Sequence, residues 1–324
     1  MGSGDPVTGA PAHAGESPAD VTSAAAPEPQ VPARQRRVPR NARVREWSWL
    51  GLTPFALYVL LFLALPTILA IASGLFDGDS AFTLANIAAL GDPVIITTFV
   101  NSTGISLLTA IVGAVVGAAV CYALLGLPDT GVIRTTVDAA SGVLAQFGGV
   151  MLAFAMIATI GTQGIVTRFL RDALGIDIFA DGAWIYALPG LIPAYLVFQI
   201  PLMVITFMPA LAALRPQWFE AHLTLGGTRG GFWRHVGFPV LAPSFLASLL
   251  LLFANAFSSY ATAAALASQG SQIVPLQIRA ALTSETVLGR ENLAGALALG
   301  MIVVVAVVMW LYSLIQRRTA RWQA

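Results

Sequence analysis

Apolar residues in this sequence are gathered into six long runs, which shorter polar connections separate. A helix needs about 20 apolar residues to cross the hydrocarbon core of a bilayer, and each run is long enough. The pattern therefore predicts an all-α integral membrane fold with six transmembrane helices. The predicted spans are Trp49–Ser73, Phe99–Leu127, Ala139–Ile160, Ala183–Leu214, Phe238–Ala267 and Leu293–Ile315.

The third and fourth spans contain residues that disturb a helix. The third carries Gln146 and the pair Gly148–Gly149, which makes it the weakest of the six. The fourth should be kinked or broken, because it holds several prolines whose freed carbonyls neighbouring helices must satisfy. These prolines are Pro189, Pro193, Pro201 and Pro209.

The connection between these two spans, Gly164–Gly182, has a helical pattern of its own. Ile165, Phe169 and Leu170 recur at helical spacing, on the face opposite Arg168. This pattern predicts a short amphipathic helix that lies on the outer surface of the membrane.

Composition excludes several classes of protein. With 57% hydrophobic and 10% charged residues and a mean hydropathy of +0.78, the chain cannot be a water-soluble monomer. All 17 basic residues are arginines, so the lysine of a P-loop ATP site is missing from this chain. Cys121 is the single cysteine, which excludes an internal disulfide framework. We expect no catalytic activity and no cofactor in this chain.

The N-terminal segment, residues 1–46, differs from the transmembrane domain predicted for residues 47–324. It begins with an Ala-, Pro-, Gly- and Ser-rich stretch that cannot bury a core and should be disordered. Six arginines follow, at Arg34, Arg36, Arg37, Arg40, Arg43 and Arg45. We interpret them as a topological anchor, with no nucleic-acid partner, although a lipid-binding or nucleic-acid-binding tail is the alternative.

The arginines also predict the orientation of the chain in the bilayer. With the N-terminus inside, 13 of the 17 arginines fall on the cytoplasmic side and four fall outside. The positive-inside rule then places both termini in the cytoplasm.

The cytoplasmic connection between the fourth and fifth spans, residues 215–239, should form two short helices around a turn. Pro216 suits the first position of a helix. Gly226 and Gly227 permit the positive φ of a sharp reversal, and Thr228 is a suitable N-cap for the second helix. Pro239 marks the start of the next membrane helix.

This connection resembles the cytoplasmic "EAA" loop of inner-membrane permeases in bacterial ATP-binding-cassette (ABC) importers. That loop reads Glu-Ala-Ala-x-x-x-Gly and closes on an apolar-x-apolar-Pro element. The residues that match are Glu220, Ala221, Gly226, Val236, Phe238 and Pro239. The sequence departs from the pattern at His222 in place of the second Ala, at Leu225 in place of a frequent Asp, and at Gly227 in place of an Ala.

The resemblance implies a type I ABC importer permease fold in the bacterial cytoplasmic (inner) membrane. It also implies four kinds of partner: the lipid bilayer, a second and related permease subunit, two ATPase subunits that bind ATP and Mg, and an extracytoplasmic solute-binding protein. The loop would dock into the ATPase. The residues expected to couple the two proteins are Glu220, Ala221, His222, Gly226, Gly227, Arg229, Phe232, Trp233 and Pro239.

Polar residues at membrane depth are candidates for the solute pathway. Asn255, Ser258, Ser259 and Thr262 would form one stripe of a continuous fifth helix, with Tyr260 beside it and Gln199 on the fourth helix. Such residues either line a pathway or join helices by hydrogen bonds, and both roles are open for this stripe. For Gln146 we favour the packing role.

The small-residue motif of the second span, from Gly113 to Gly117, has two interpretations as well. Motifs of this kind bring helices close together. We favour packing inside one bundle over association between chains.

The predicted function is that of an ABC importer permease subunit. Three segments resemble the subgroup for polyamines, ferric iron or phosphonates: SSYATAAAL at Ser258–Leu266, IVPLQI at Ile273–Ile278 and ALALGM at Ala296–Met301. We therefore expect a polyamine or a similar small charged solute, with a sugar importer as the alternative. An ion-coupled secondary carrier is less favoured, because it needs no docking loop and usually carries charges inside the membrane.

Overall fold

The structure, a computed structural model, describes residues 52–76, 81–128, 130–267, 273–283 and 291–320. The predicted tail, residues 1–46, and Arg321 therefore lie outside the described residues. The chain divides into a unit of residues 1–55 and a unit of residues 56–324, and the packing described below lies within the second unit.

The described residues are almost entirely helical. Among these residues, one isolated antiparallel β-bridge joins Phe76 and Phe82. The helices are α1 (Leu52–Ser73), α2 (Ala85–Ala88), α3 (Pro93–Leu124), α4 (Val132–Leu144), α5 (Gly149–Ile160), α6 (Ile165–Leu174), α7 (Leu191–Ala212), α8 (Pro216–Thr224), α9 (Arg229–Phe257), α10 (Ala261–Leu266), α11 (Val274–Leu282) and α12 (Glu291–Ala320).

Six helical stretches are long and apolar enough to cross a membrane, so the predicted all-α fold with six spans is confirmed. They are Leu52–Ser73, Pro93–Leu124, Gly149–Leu174, Leu188–Ala212, Arg229–Phe257 and Asn292–Leu314. Three of the six, the first, fourth and sixth, begin within about five residues of the predicted starts, a scatter typical of helix boundaries read from sequence. The second, third and fifth spans begin further from their predicted starts, for reasons given below.

The second span begins earlier than predicted, because Asp92 caps helix α3. The carboxylate of Asp92 accepts a hydrogen bond of 2.8 Å from the Val94 N–H, and Pro93 occupies the first helical position. This Asp-Pro pair is a helix-start signal that hydrophobicity alone overlooks.

The prediction of one continuous third span, Ala139–Ile160, is wrong. Helix α4 ends at Leu144, and α5 begins at Gly149, whose φ is +75°. A positive φ is accessible to glycine and interrupts the regular helix, so the Gly148–Gly149 pair separates two helices. The stretch that meets the length and hydropathy of a span is instead α5 together with α6.

The predicted fourth span, Ala183–Leu214, is broken only in its first part, and α7 itself is continuous. Pro201 and Pro209 lie inside a helix that stays continuous from Leu191 to Ala212. The irregular part precedes it, as two 3-10 turns at Trp184–Tyr186 and Leu188–Gly190. Prolines are tolerated in membrane helices where neighbouring groups satisfy the freed carbonyls.

Helices α3, α7 and α9 pack around a common core. Gly113 and Gly117 of α3 lie against Gln199 and Met203 of α7. A Cβ at Gly117 would come within 2.5 Å of the Met203 Cβ, so this glycine is needed for the close approach of the two helices. The small-residue motif therefore serves packing inside one bundle, as the sequence favoured.

The amphipathic helix predicted in the connection Gly164–Gly182 is present as α6, which forms the second part of the stretch Gly149–Leu174. Its C-cap, Gly175, has a φ of +66°, and the apolar side chains of Ile165 and Phe169 are exposed. In the loop that follows, the backbone N–H of Phe179 and then Arg171 lower the pKa of Asp177 by stabilising its carboxylate. The position of α6 on the membrane surface stays a prediction.

Candidate functional site

The connection over residues 215–239, called here the coupling loop, has the local structure that its sequence predicts. Helix α8 starts at Pro216. The chain then reverses at Gly226, whose φ is +81°. The Thr228 hydroxyl accepts a hydrogen bond of 3.1 Å from the Gly231 N–H and caps the next helix. Gly227, by contrast, does not adopt a positive φ.

The second limb of the coupling loop is not a separate helix, which corrects the sequence prediction. It runs without a break from Arg229 through a π turn at Trp233–Gly237 into the rest of α9. In that turn the Phe238 N–H bonds to the Trp233 carbonyl, five residues back. The wider turn accommodates Pro239, which has no N–H and would crowd a regular α-helical turn.

Aromatic rings hold the two limbs of the coupling loop together. Phe232 is buried, and its ring centroid lies 5.2 Å from that of Phe219 on α8 and 6.0 Å from that of Trp233. Trp233 in turn meets Tyr122 near the end of α3, with ring centroids 5.4 Å apart. The loop is thus packed internally and fastened to the bundle, as edge-to-face aromatic pairs allow.

The outer face of the coupling loop is exposed. Glu220, Ala221, Gly226 and Arg229 are all exposed, and the side chain of Leu225 is 88% exposed. Among the described residues, Glu220 forms no ion pair. An apolar tip beside a free carboxylate is a surface suited to a protein partner.

His222 lies on the inner side of the loop, between the two limbs. Its imidazole packs against Phe232, with ring centroids 6.0 Å apart, and against Gly227. Two of the three departures from the EAA pattern, His222 and Gly227, are therefore in contact.

A second candidate site is an open polar cavity of about 240 Å³ on the helix bundle. It lies between the end of α4 and the start of α5, beside the C-terminal end of α9. The lining residues are Ala145, Gln146, Gly148, Gly149, Phe198, Asn255, Ser258 and Ser259. The polar side chains are amides and hydroxyls, and none of the lining residues is charged.

The predicted stripe of the fifth helix is broken, and its members have separate positions. Helix α9 ends at Phe257 and α10 begins at Ala261, so Asn255, Ser258 and Ser259 line the cavity from a helix end. Thr262 is fully buried on α10. Its hydroxyl accepts a hydrogen bond of 2.8 Å from the Gly149 N–H, which joins the two helix breaks.

The remaining pathway candidates do not line this cavity. Gln199 is fully buried and donates a hydrogen bond of 2.8 Å to the Thr109 hydroxyl. Tyr260 lies beneath the Arg279 guanidinium, 5.9 Å from its carbon, in a cation–π contact. Gln146, to which the sequence assigned a packing role, lines the cavity instead.

Sequence reasoning missed the contribution of the backbone to this site. The Ser259 carbonyl, which lies between α9 and α10, accepts a hydrogen bond of 3.1 Å from the Tyr195 hydroxyl. The Gly148–Gly149 pair and the weakness of the predicted third span were the sequence signals that could have indicated a helix break at this site. Among the described residues, no group of three His, Cys, Asp or Glu side chains could hold a metal ion.

Comparison with known proteins agrees with the resemblance seen in the sequence. Residues 173–321 match the family model described as binding-protein-dependent transport system inner membrane component. The ferric transport system permease protein FbpB of Actinobacillus pleuropneumoniae is 25% identical over 211 residues, which cover 65% of this chain and 30% of that protein. This chain therefore spans about a third of that relative's length.

Two further comparisons cover more of the matched protein. The trehalose transport system permease protein SugB of Mycobacterium tuberculosis is 27% identical over 219 residues, covering 68% of this chain and 72% of that protein. A solved bacterial ABC transporter involved in the import of alginate matches with a TM-score of 0.70 at 16% identity, covering 85% of this chain and 96% of that chain. The first similarity is in sequence and the second is in fold. Residues 173–321 of this chain are thus similar in sequence to the inner membrane components of binding-protein-dependent transport systems, and the chain has the fold of an ABC importer permease.

Proposed function

We propose that this protein is a transmembrane permease subunit of an ATP-driven, binding-protein-dependent importer, and that it couples the solute pathway to a separate ATPase. The observation that carries the proposal is the coupling loop, with its reversal at Gly226 and its exposed Glu220. The partners would be a related permease subunit, two ATPase subunits and a solute-binding protein. ATP and Mg would bind to the ATPase, and this chain performs no covalent chemistry.

The continuity of α9 explains how the two candidate sites would act together. This helix carries the second limb of the coupling loop at one end and Asn255 of the cavity near the other. Its 29 residues correspond to a length of about 43 Å, enough to cross the bilayer. ATP-driven movement of the docked loop would therefore reach the cavity through one rigid element and open it alternately to each side.

The location that fits this function is the bacterial inner membrane, with both termini and the coupling loop in the cytoplasm. Six spans return the chain to its starting side, and the arginine distribution supports that orientation.

For the solute, we propose a polyamine or a similar small charged molecule, with a sugar as the second candidate. The subgroup-like segments near the C-terminus support the first candidate. The uncharged amide and hydroxyl lining of the cavity favours the second, because it offers hydrogen bonds to hydroxyl groups and no carboxylate to a cation. Competition of a polyamine, a disaccharide, ferric iron and sulfate for ATP-dependent uptake separates the candidates.

The experiment that tests the coupling function compares Glu220→Ala with Asp172→Ala, an exposed carboxylate outside the loop. Truncation of a buried interface charge costs about 2–5 kcal/mol, whereas an exposed charge costs below about 1 kcal/mol. We expect Glu220→Ala to reduce ATPase copurification and ATP-driven uptake, while Asp172→Ala leaves both unchanged. Uptake that follows an ion gradient without any ATPase would support a secondary carrier instead.

A further inference from the structure

His222 fills a confined space between the two limbs of the coupling loop. Its ring packs on Phe232, and its Nε2 atom is buried with no hydrogen-bond partner among the described residues. The imidazole therefore acts inside the loop through its size and shape rather than through a hydrogen bond.

Two glycines of the opposite limb make room for this ring. A Cβ at Gly227 would overlap the imidazole, and a Cβ at Gly231 would lie 3.1 Å from Nε2. Neither glycine has a positive φ, so the backbone conformation does not require glycine at either position. Gly230, between them in sequence, has open space around it. Glycine is therefore required at Gly227 and Gly231 because a larger residue would collide with or crowd the His222 ring, and not because of the backbone conformation.

We propose that His222 and Gly227 form a positioning pair that sets the angle between α8 and the start of α9, and with it the shape that the loop presents to the ATPase. The proposal rests on the coupling function proposed above. The departures from the EAA pattern at these two positions compensate for each other, because a large residue on one limb faces the smallest on the other.

Spin labels can measure the angle between the limbs without any partner. In the full chain with Cys121→Ala, labels at Gln217→Cys and Arg234→Cys would report on the two limbs, since both positions are exposed. We expect Gly227→Ala to change the separation measured by electron paramagnetic resonance, and His222→Ala combined with Gly227→Ala to restore it. Gly230→Ala is the matched control and should leave the separation unchanged.

The affinity for the ATPase that copurifies with the unmodified permease is the second readout. Overpacking by one methyl group should weaken that affinity by about tenfold or more in Gly227→Ala. The double variant should recover most of the loss, and Gly230→Ala should bind as the unmodified protein does. If Gly227→Ala had only removed a contact with the ATPase, making His222 smaller as well would not restore the affinity.

Two results would overturn the positioning pair. In the first, Gly227→Ala behaves like Gly230→Ala in both measurements. In the second, the double variant is as impaired as Gly227→Ala. Where Gly227→Ala cannot be purified, a folded double variant supports the pair and equal loss of the double variant overturns it. If the unmodified permease binds no ATPase, the proposed function is refuted instead. The spin-label distances would still show whether His222 and Gly227 set the angle between the two limbs.

Discussion

Gly226 and Gly227 are neighbours in the coupling loop but are glycines for different physical reasons. Gly226 has a φ of +81° and nothing within 4 Å of the position of a Cβ, so its requirement is conformational. Gly227 has an ordinary φ and no room beside the His222 ring, so its requirement is steric. Each cause predicts a different pattern of tolerated substitutions.

At Gly226 we expect Asn to be tolerated and Val to fail. A β-branched residue at positive φ is strained by roughly 1–2 kcal/mol or more, whereas Asn visits this region readily. Gly226→Val should therefore weaken ATPase copurification and uptake, while Gly226→Asn retains most of both. Equal behaviour of the two variants would contradict a conformational role.

Local sequence signals predicted the caps and the reversal of this loop, since Pro216, Thr228 and Gly226 act on their own backbone. The contact between His222 and Gly227 could not be predicted in the same way. It depends on how the two limbs fold back on each other, which the aromatic packing around Phe232 determines.

Among the helices, the main difference from the sequence prediction is the pair of breaks at α4–α5 and α9–α10. Hydropathy averaged over a whole span does not detect such short breaks, because long apolar stretches flank them on both sides. The first has the Gly148–Gly149 pair as a signal, but residues 258–260 contain neither Gly nor Pro. Hydrogen bonds from distant residues, Tyr195 and Thr262, stabilise the breaks, and sequence patterns do not show them.

These positions predict different defects for different hydroxyl residues of the fifth span. Ser259→Leu should slow uptake with normal assembly, because the side chain would occupy the cavity. Thr262→Val should instead lower the yield of folded protein, since the Gly149 N–H would lose its acceptor at a cost of about 1–3 kcal/mol. Uptake assays and size-exclusion chromatography of both variants check this. Normal uptake by Ser259→Leu would remove the cavity from the pathway.

The packing of α3 on α7 gives a second prediction for the helices. Gly117→Ala should lower the thermal unfolding temperature, because its Cβ would meet Met203 and overpacking costs about 1–3 kcal/mol. Gly104→Ala is the matched control on the same helix, since nothing lies within 4 Å of its Cβ position. Equal unfolding temperatures for the two variants would show that α3 and α7 do not pack this closely.

For the whole molecule, the proposed function requires the coupling loop and the C-terminal end of α6, near Asp172, to lie on opposite sides of the membrane. In a Cys121→Ala background, we expect Gln217→Cys to resist an impermeant thiol reagent in intact cells and to react after permeabilisation. Asp172→Cys should react in intact cells. Rapid labelling of Gln217→Cys from outside would contradict the orientation that the arginine distribution predicts.

The central claim is that the coupling loop docks on an ATPase, and site-specific photo-cross-linking tests it most directly. A photoreactive residue at Leu225, the 88% exposed tip of the loop, would probe the proposed contact, and one at Asp172 would probe the opposite side. We predict an ATPase adduct from position 225 and none from position 172. The absence of an adduct at 225 in a complex that hydrolyses ATP, or an adduct at 172, would contradict the claim.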